Sequence, residues 1–218
     1  QQISQYQRYL SQRNARLKEM AEGGYFDASL IDVYDETLGP LADAIYQRRK
    51  TFIEAFNQVF SRYYAWLSQG QESVALSYDS PLHEASLAVL LKQNLEKDRA
   101  LQRTTTGIHR DDLDFTIFNY SLKRFGSQGQ QKSYLIALKL AQYEMVQDAK
   151  GEAPLLLLDD IYDRLDDTRV SRLMEAVTQP PFSQVFLTDT TYERIRNLLT
   201  PLSARSGIFE LTHGALKS

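Results

Sequence analysis

One stretch, Gly126 to Asp167, constrains the chain more than any other. It opens on GSQGQQKS (Gly126 to Ser133), a polar string that leads into an apolar-periodic segment predicting a helix from about Gly129 to Ala149. After a polar turn comes PLLLLDD (Pro154 to Asp160), an apolar run with the length of a buried strand and two carboxylates at its end. A helix start offers unpaired N–H groups and the positive end of the helix dipole, which suit an anion such as a phosphate. Ser127, Gln128, Gly129 and Gln130 are therefore candidate nucleotide contacts, with Gly126 and Gly129 permitting close backbone approach. A carboxylate at the end of a rigid strand suits a hard cation, so Asp159 is the candidate Mg²⁺ ligand. Side chains alternate along a strand, so Asp160 points elsewhere and is the candidate to orient or deprotonate an attacking water. Taken singly, each motif also fits a plainer role, the first as a serine helix cap and the second as a core strand ending in a polar turn.

The preceding hundred residues read as helical. Tyr6, Leu10, Leu17 and Met20 share one face of a first helix, which Gly23 and Gly24 end. Asp27 is placed to cap a second, and Gly39-Pro40 is expected to interrupt it. From Leu41 to Leu67 apolar residues recur at helical spacing, predicting a helix of about 40 Å that Gly70 closes. Two long helices joined by a short turn favour an antiparallel pair, read as a projecting arm. A short strand at Val74 to Tyr78 and a helix from Ser80-Pro81 to about Asp98 follow. The polar linker Gln102 to Gly107 suggests a boundary near residue 102, giving a helical arm (1–102) and a C-terminal lobe (103–218).

Beyond that linker the texture is α/β. Asp112 to Leu122 alternates in two runs that suit a hairpin, and Asp167 or Thr168 is placed to cap a helix carrying Val170, Leu173 and Val177. Gln184 to Thr188 reads as a strand, Tyr192 to Leu199 as a helix and Gly207 to Gly214 as a last strand and turn. Strands alternating with helices imply a largely parallel sheet.

A net charge of −3 excludes a globally basic nucleic-acid binder, so DNA contact would rest on local patches. Candidates are Arg8, Arg13, Arg16 and Lys18 in the first helix and Arg48, Arg49 and Lys50 in the second; such charges more often form a solvated face. Cysteine is absent, which excludes disulfides and thiolate metal sites and fits a reducing cytoplasm. No run of 18 apolar residues and no leader pattern stands in the sequence, so no membrane association is expected.

FGSQGQQKSYLIALKLAQ (Phe125 to Gln142), PLLLLDDIYDRLDD (Pro154 to Asp167) and GIHRDDL (Gly107 to Leu113) together resemble the signature, Walker B with D-loop, and GPHRDDL segments of the RecF family of recombination mediators. The segment Asp32 to Phe56 is similar to that family's arm. The resemblance implies the C-terminal lobe of an ABC/SMC-like ATPase head, a partial P-loop NTPase fold of α/β class, with an N-terminal helical arm. It further implies an ATP- and Mg²⁺-dependent homodimer that binds single-stranded or gapped duplex DNA and helps load recombinase at gaps, with RecR and RecO as partners. By position, Asp159 matches the Mg²⁺-organising Walker B aspartate and Asp160 the catalytic carboxylate. Ser127, Gly129 and Gln130 match signature residues that contact ATP held by the opposite protomer, and Asp166 matches the D-loop aspartate at that interface.

Ile108 stands where the family's motif has Pro, Tyr162-Asp163-Arg164 replaces Leu/Phe-Ser-Glu, and Asp189 occupies the place of the ABC switch histidine, leaving Thr188 or Asp189 as a guessed sensor. His109 and Arg110 match a motif of unassigned role, and His109 equally suits a structural hydrogen bond. No glycine is followed by lysine, so GxxxxGK[ST] is missing. The chain is therefore expected to be a C-terminal portion lacking Walker A, with no ATP turnover by itself. The readings that compete are an SMC or Rad50-like head fragment and a non-hydrolysing structural adaptor.

Overall fold

The computed structural model describes residues 1–159, 161–162, 165–200, 206–212 and 215–216. Asp160, the expected catalytic carboxylate, lies outside the described residues, as do Asp163 and Arg164. Packing divides the chain into two units, residues 1–55 with 76–114 and residues 56–75 with 115–218. This differs from a single boundary near residue 102, because the chain passes between the units within a long helix and within two strands.

In the first unit, α1 (Gln2–Glu22) and the first part of α2 (Ser29–Ser68) run antiparallel. Tyr6, early in α1, shares an apolar cluster with Leu38, Ala42 and Ile45, whereas Leu17 and Met20, late in α1, share one with Ile31. Asp27 starts α2 as expected, its carboxylate accepting from the Ser29 N–H (2.9 Å) and hydroxyl. Gly39-Pro40 does not interrupt α2, which continues through Pro40. Leu38 and Ala42 on either side are wholly buried, and their packing outweighs the hydrogen bond a proline removes.

The expected helix from Ser80 to Asp98 is three pieces. After β1 (Val74–Asp79), a 3₁₀ turn at Pro81–His83 is capped by the Ser80 hydroxyl, and α3 (Leu87–Gln93) and α4 (Leu95–Leu101) meet at Asn94. The Asn94 side chain donates to the Leu90 carbonyl (2.8 Å), the local bond by which asparagine competes with helix continuation. A second 3₁₀ turn, Ile108–Arg110, leads into β2 (Asp112–Ile117).

The second unit carries the lobe. The end of β2 pairs antiparallel with β3 (Tyr120–Ser121) across Phe118 and Asn119, both at positive φ, which is the expected hairpin. β1, β2 and β3 form one sheet in that order. Then come α5 (Leu122–Phe125), α6 (Gln128–Lys150), β4 (Leu155–Leu158), α7 (Asp167–Val177), β5 (Gln184–Leu187), α8 (Tyr192–Leu199), and a terminal pair, β6 (Leu211–Thr212) with β7 (Ala215–Leu216). β4 and β5 are parallel, Leu155 to Leu158 aligned with Gln184 to Leu187. β4 is not buried on both faces: Leu156 is 7% exposed but Leu155 and Leu157 are 61% and 70% exposed. Side chains alternate along a strand, and the described residues cover only one face of the β4–β5 pair.

Tyr134 fixes α6 against the last turns of α2. Its ring packs on Phe60 (4.5 Å between centroids), Tyr64 and Phe115, and its hydroxyl donates to the Ala75 carbonyl (2.7 Å). Offset aromatic contacts of this kind add to burial, and the buried hydroxyl finds its acceptor.

Candidate nucleotide-facing site

The start of α6 is built by a reciprocal cap. The Ser127 hydroxyl accepts from the Gln130 N–H (3.2 Å) and the Gln130 side-chain carbonyl accepts from the Ser127 N–H (2.8 Å). Gly126 is held so close to the preceding turn that a Cβ there would lie 2.7 Å from the Leu122 carbonyl oxygen. The N–H groups of Gln128 and Gly129 have no intrahelical partner, as at any helix start. The four candidate residues are thus brought together on one turn, and the Ser127 hydroxyl and Gln130 amide already serve the cap.

Asp166 caps α7, its carboxylate accepting from the Arg169 N–H (2.8 Å). The expected cap at Asp167 or Thr168 is therefore corrected by one or two residues. Asp166 has the extended backbone (φ −77°, ψ 161°) from which a carboxylate reaches the third N–H of the helix, while Asp167 is already the first helical residue.

Arg169 joins these two helix starts. Its guanidinium donates to the Ser133 hydroxyl (2.7 Å), the Gly129 carbonyl (3.4 Å) and the Glu72 carboxylate (2.8 Å), and lies 3.3 Å from Asp166. Glu72 also accepts from the Gln130 amide (3.0 Å) and the Tyr64 hydroxyl (2.6 Å). Burial acts to raise the pKa of the Glu72 carboxyl, but the hydrogen bonds from Tyr64, Gln130 and Arg169, with the arginine charge, outweigh it and hold the group below the usual carboxylate range. Sequence reasoning overlooked Glu72, Tyr64 and Arg169. The position of Arg169, three residues after the D-loop-like Asp166, was the one available signal.

Asp159 stands at the end of β4 and accepts a hydrogen bond from the Thr188 hydroxyl, just after β5. The parallel register produces this pair, with the Thr188 N–H donating to the Leu158 carbonyl (3.0 Å). Among the described residues, no hydrogen bond links Asp159 to the Arg169 network, and no three His, Asp or Glu side chains converge on a point. An exposed carboxylate on a strand end, held through one oxygen, suits Mg²⁺, which is commonly held by one or two protein carboxylates with water and phosphate supplying the rest. Asp189 is not presented as a sensor: its nearly buried carboxylate accepts from the Thr191 N–H (2.7 Å) and pairs with Arg194.

The motif around His109 forms a structural knot in the first unit. Gly107 has φ +126°, and a Cβ there would sit 2.6 Å from the Tyr6 hydroxyl oxygen. His109 Nε2 faces the Thr104 carbonyl (3.3 Å), which can only accept, so Nδ1 accepts from the Tyr6 hydroxyl (3.0 Å). Asp111 binds Arg49 and Tyr78, and Arg49 donates to the Ile108 carbonyl (2.8 Å). Arg13 is wholly buried against Asp35, Asp98 and Thr104. Arg13 is therefore removed from the DNA-contact candidates, whereas Arg49 pairs with Asp111 while its side chain stays 36% exposed. Arg8, Lys18, Arg48 and Lys50 remain exposed.

No protein-family model matches the chain. Over 96% of its length it is 44% identical to the DNA replication and repair protein RecF of Flavobacterium johnsoniae, covering 58% of that protein. Over 99% it is 39% identical to the RecF of Parabacteroides distasonis, again covering 58%. The chain thus spans a little over half the length of the curated relatives it matches. Among solved structures, the recombination mediator protein RecF with ATP in the RecFOR pathway superposes with a TM-score of 0.73 at 27% identity, over 88% of this chain and 53% of that one. A second RecF structure, with ATPrS, gives 0.74 at 25% identity over 99% and 57%. No helix among the described residues is long and apolar enough to cross a membrane.

Proposed function

The chain belongs to the RecF family, and from that premise we propose that it supplies two half-sites of an ATP-gated, DNA-binding recombination-repair protein. In the first, Asp159 organises Mg²⁺ on ATP bound within its own protomer, with Asp160 acting on the attacking water. In the second, the α6 start, Ser127 to Gln130, with Asp166 beside it, faces ATP held by a second copy. ATP between two copies closes the dimer on single-stranded or gapped DNA, where recombinase is loaded with RecR and RecO. The phosphate loop such a pocket requires is not among these 218 residues.

The observation that carries the second half-site is the braced turn at Ser127. Its reciprocal cap and the Arg169 bridge fix this helix start with bonds drawn from the chain alone, which reduces the ordering cost of binding a phosphate there. The test is Ser127→Arg in the intact protein. Dimerisation driven by ATP should be blocked while each monomer still binds ATP. Loss of monomer binding, or dimerisation as in the wild type, would overturn the assignment.

A further inference from the structure

We propose that Arg169, anchored by Glu72, is a positioning residue that sets the signature turn of α6 and the capped start of α7 as one rigid edge. The inference rests on the reading that this edge faces a second copy's nucleotide. Three separate segments meet at the guanidinium: the connection after α2 through Glu72, the α6 start through Gly129 and Ser133, and the α7 cap through Asp166. The Arg169 and Glu72 side chains are only 17% and 12% exposed. A mostly desolvated ion pair adds little net stability but fixes geometry, since any shift leaves a charge poorly paired. The planar fork of arginine can serve these acceptors at different angles, which a lysine ammonium on its flexible stem does less well.

Glu72 extends the device. Its second oxygen takes the Tyr64 hydroxyl from the last turns of α2, while its first takes the Gln130 amide from the signature turn. Gln130 is therefore held from two sides, by Ser127 through the reciprocal cap and by Glu72 through its amide. The α2 end thus meets the signature turn through the Glu72 carboxylate as well as through the packing of Tyr134 on Phe60 and Tyr64. Asp166, still 62% exposed, remains available at the edge while Arg169 holds it from behind.

The experiment uses the intact protein with Arg169→Met, Arg169→Lys and Glu72→Gln. Amide hydrogen exchange is followed over residues 128–135 and 166–172, beside ATP binding by the monomer and the ATP-driven dimerisation constant. Arg169→Met should speed exchange at both helix starts and weaken dimerisation about tenfold or more, as expected for lost charge-assisted bonds, with monomer ATP affinity unchanged. Glu72→Gln should act in the same direction and more weakly, and Arg169→Lys should restore dimerisation only in part. Faster exchange confined to α7 overturns the inference, as does wild-type dimerisation by Arg169→Met where Ser127→Arg blocks it. Wild-type dimerisation by both Ser127→Arg and Arg169→Met sinks the parent reading and the inference with it. A uniform loss of protection across the second unit identifies a merely structural role and also overturns it.

Discussion

The Arg13 guanidinium lies 2.8 Å from the Asp98 carboxylate with both side chains wholly removed from solvent. Asp35 takes a second donor of the same arginine at 2.6 Å, and the Thr104 hydroxyl accepts a third bond. Burial raises the pKa of the Asp35 carboxyl even though Arg13 pulls it down. Asp98 also accepts from the Thr105 N–H and hydroxyl (both 2.7 Å), so it anchors the loop that leads to His109.

Arg13→Ala should therefore cost about 3–5 kcal/mol, the penalty for leaving a buried partner uncompensated. Chemical denaturation of the intact protein checks this, and a loss under about 1 kcal/mol would contradict the burial described.

His109 should titrate below the ordinary imidazole range. Burial is the main cause and the Arg110 charge adds to it, against the Thr104 carbonyl bond, which favours the protonated ring. A base whose folded pKa is depressed contributes stability that is present above its unfolded pKa and lost as pH falls through the folded value. The first unit should thus weaken as pH falls below about 6.5, and His109→Gln should flatten that part of the profile. An NMR titration of the imidazole with a midpoint above 6.5 would refute the assignment.

Thr188 orients the carboxylate proposed to organise Mg²⁺, and it does so from a different strand. Thr188→Val keeps the shape and removes the hydroxyl. In the intact protein the Mg²⁺ concentration for half-maximal nucleotide binding should rise about tenfold, in line with the loss of outer-shell partners at other metal sites. Thr188→Ser should restore most of it. An unchanged Mg²⁺ dependence in the valine variant would remove Thr188 from the site.

Most of what acts over one helical turn was legible in the residues. Ser127 and Gln130 stand three apart and cap α6 as such a pair should, Asp27 starts α2, and Tyr6, Leu17 and Met20 form the buried face of α1. Arg13 belongs to that same face, seven residues after Tyr6 and four before Leu17, yet an arginine there reads as surface until its carboxylates are in place. The passage through Pro40 went against propensity because packing on either side decided it, whereas the halt at Asn94 follows the asparagine's own bond to the Leu90 carbonyl.

The sequence by itself determined the capped start of α6, the parallel α/β order and the pairing of a signature-like turn with a carboxylate-ended strand, since each depends on hydrogen bonds or periodicity within a few residues. Tertiary structure alone decided which charges are structural and which face outward. Glu72 and Arg169 lie 97 positions apart, and Arg13 and Asp98 lie 85 apart. Those pairings exist only where folding has removed water from both partners, and no local pattern records that.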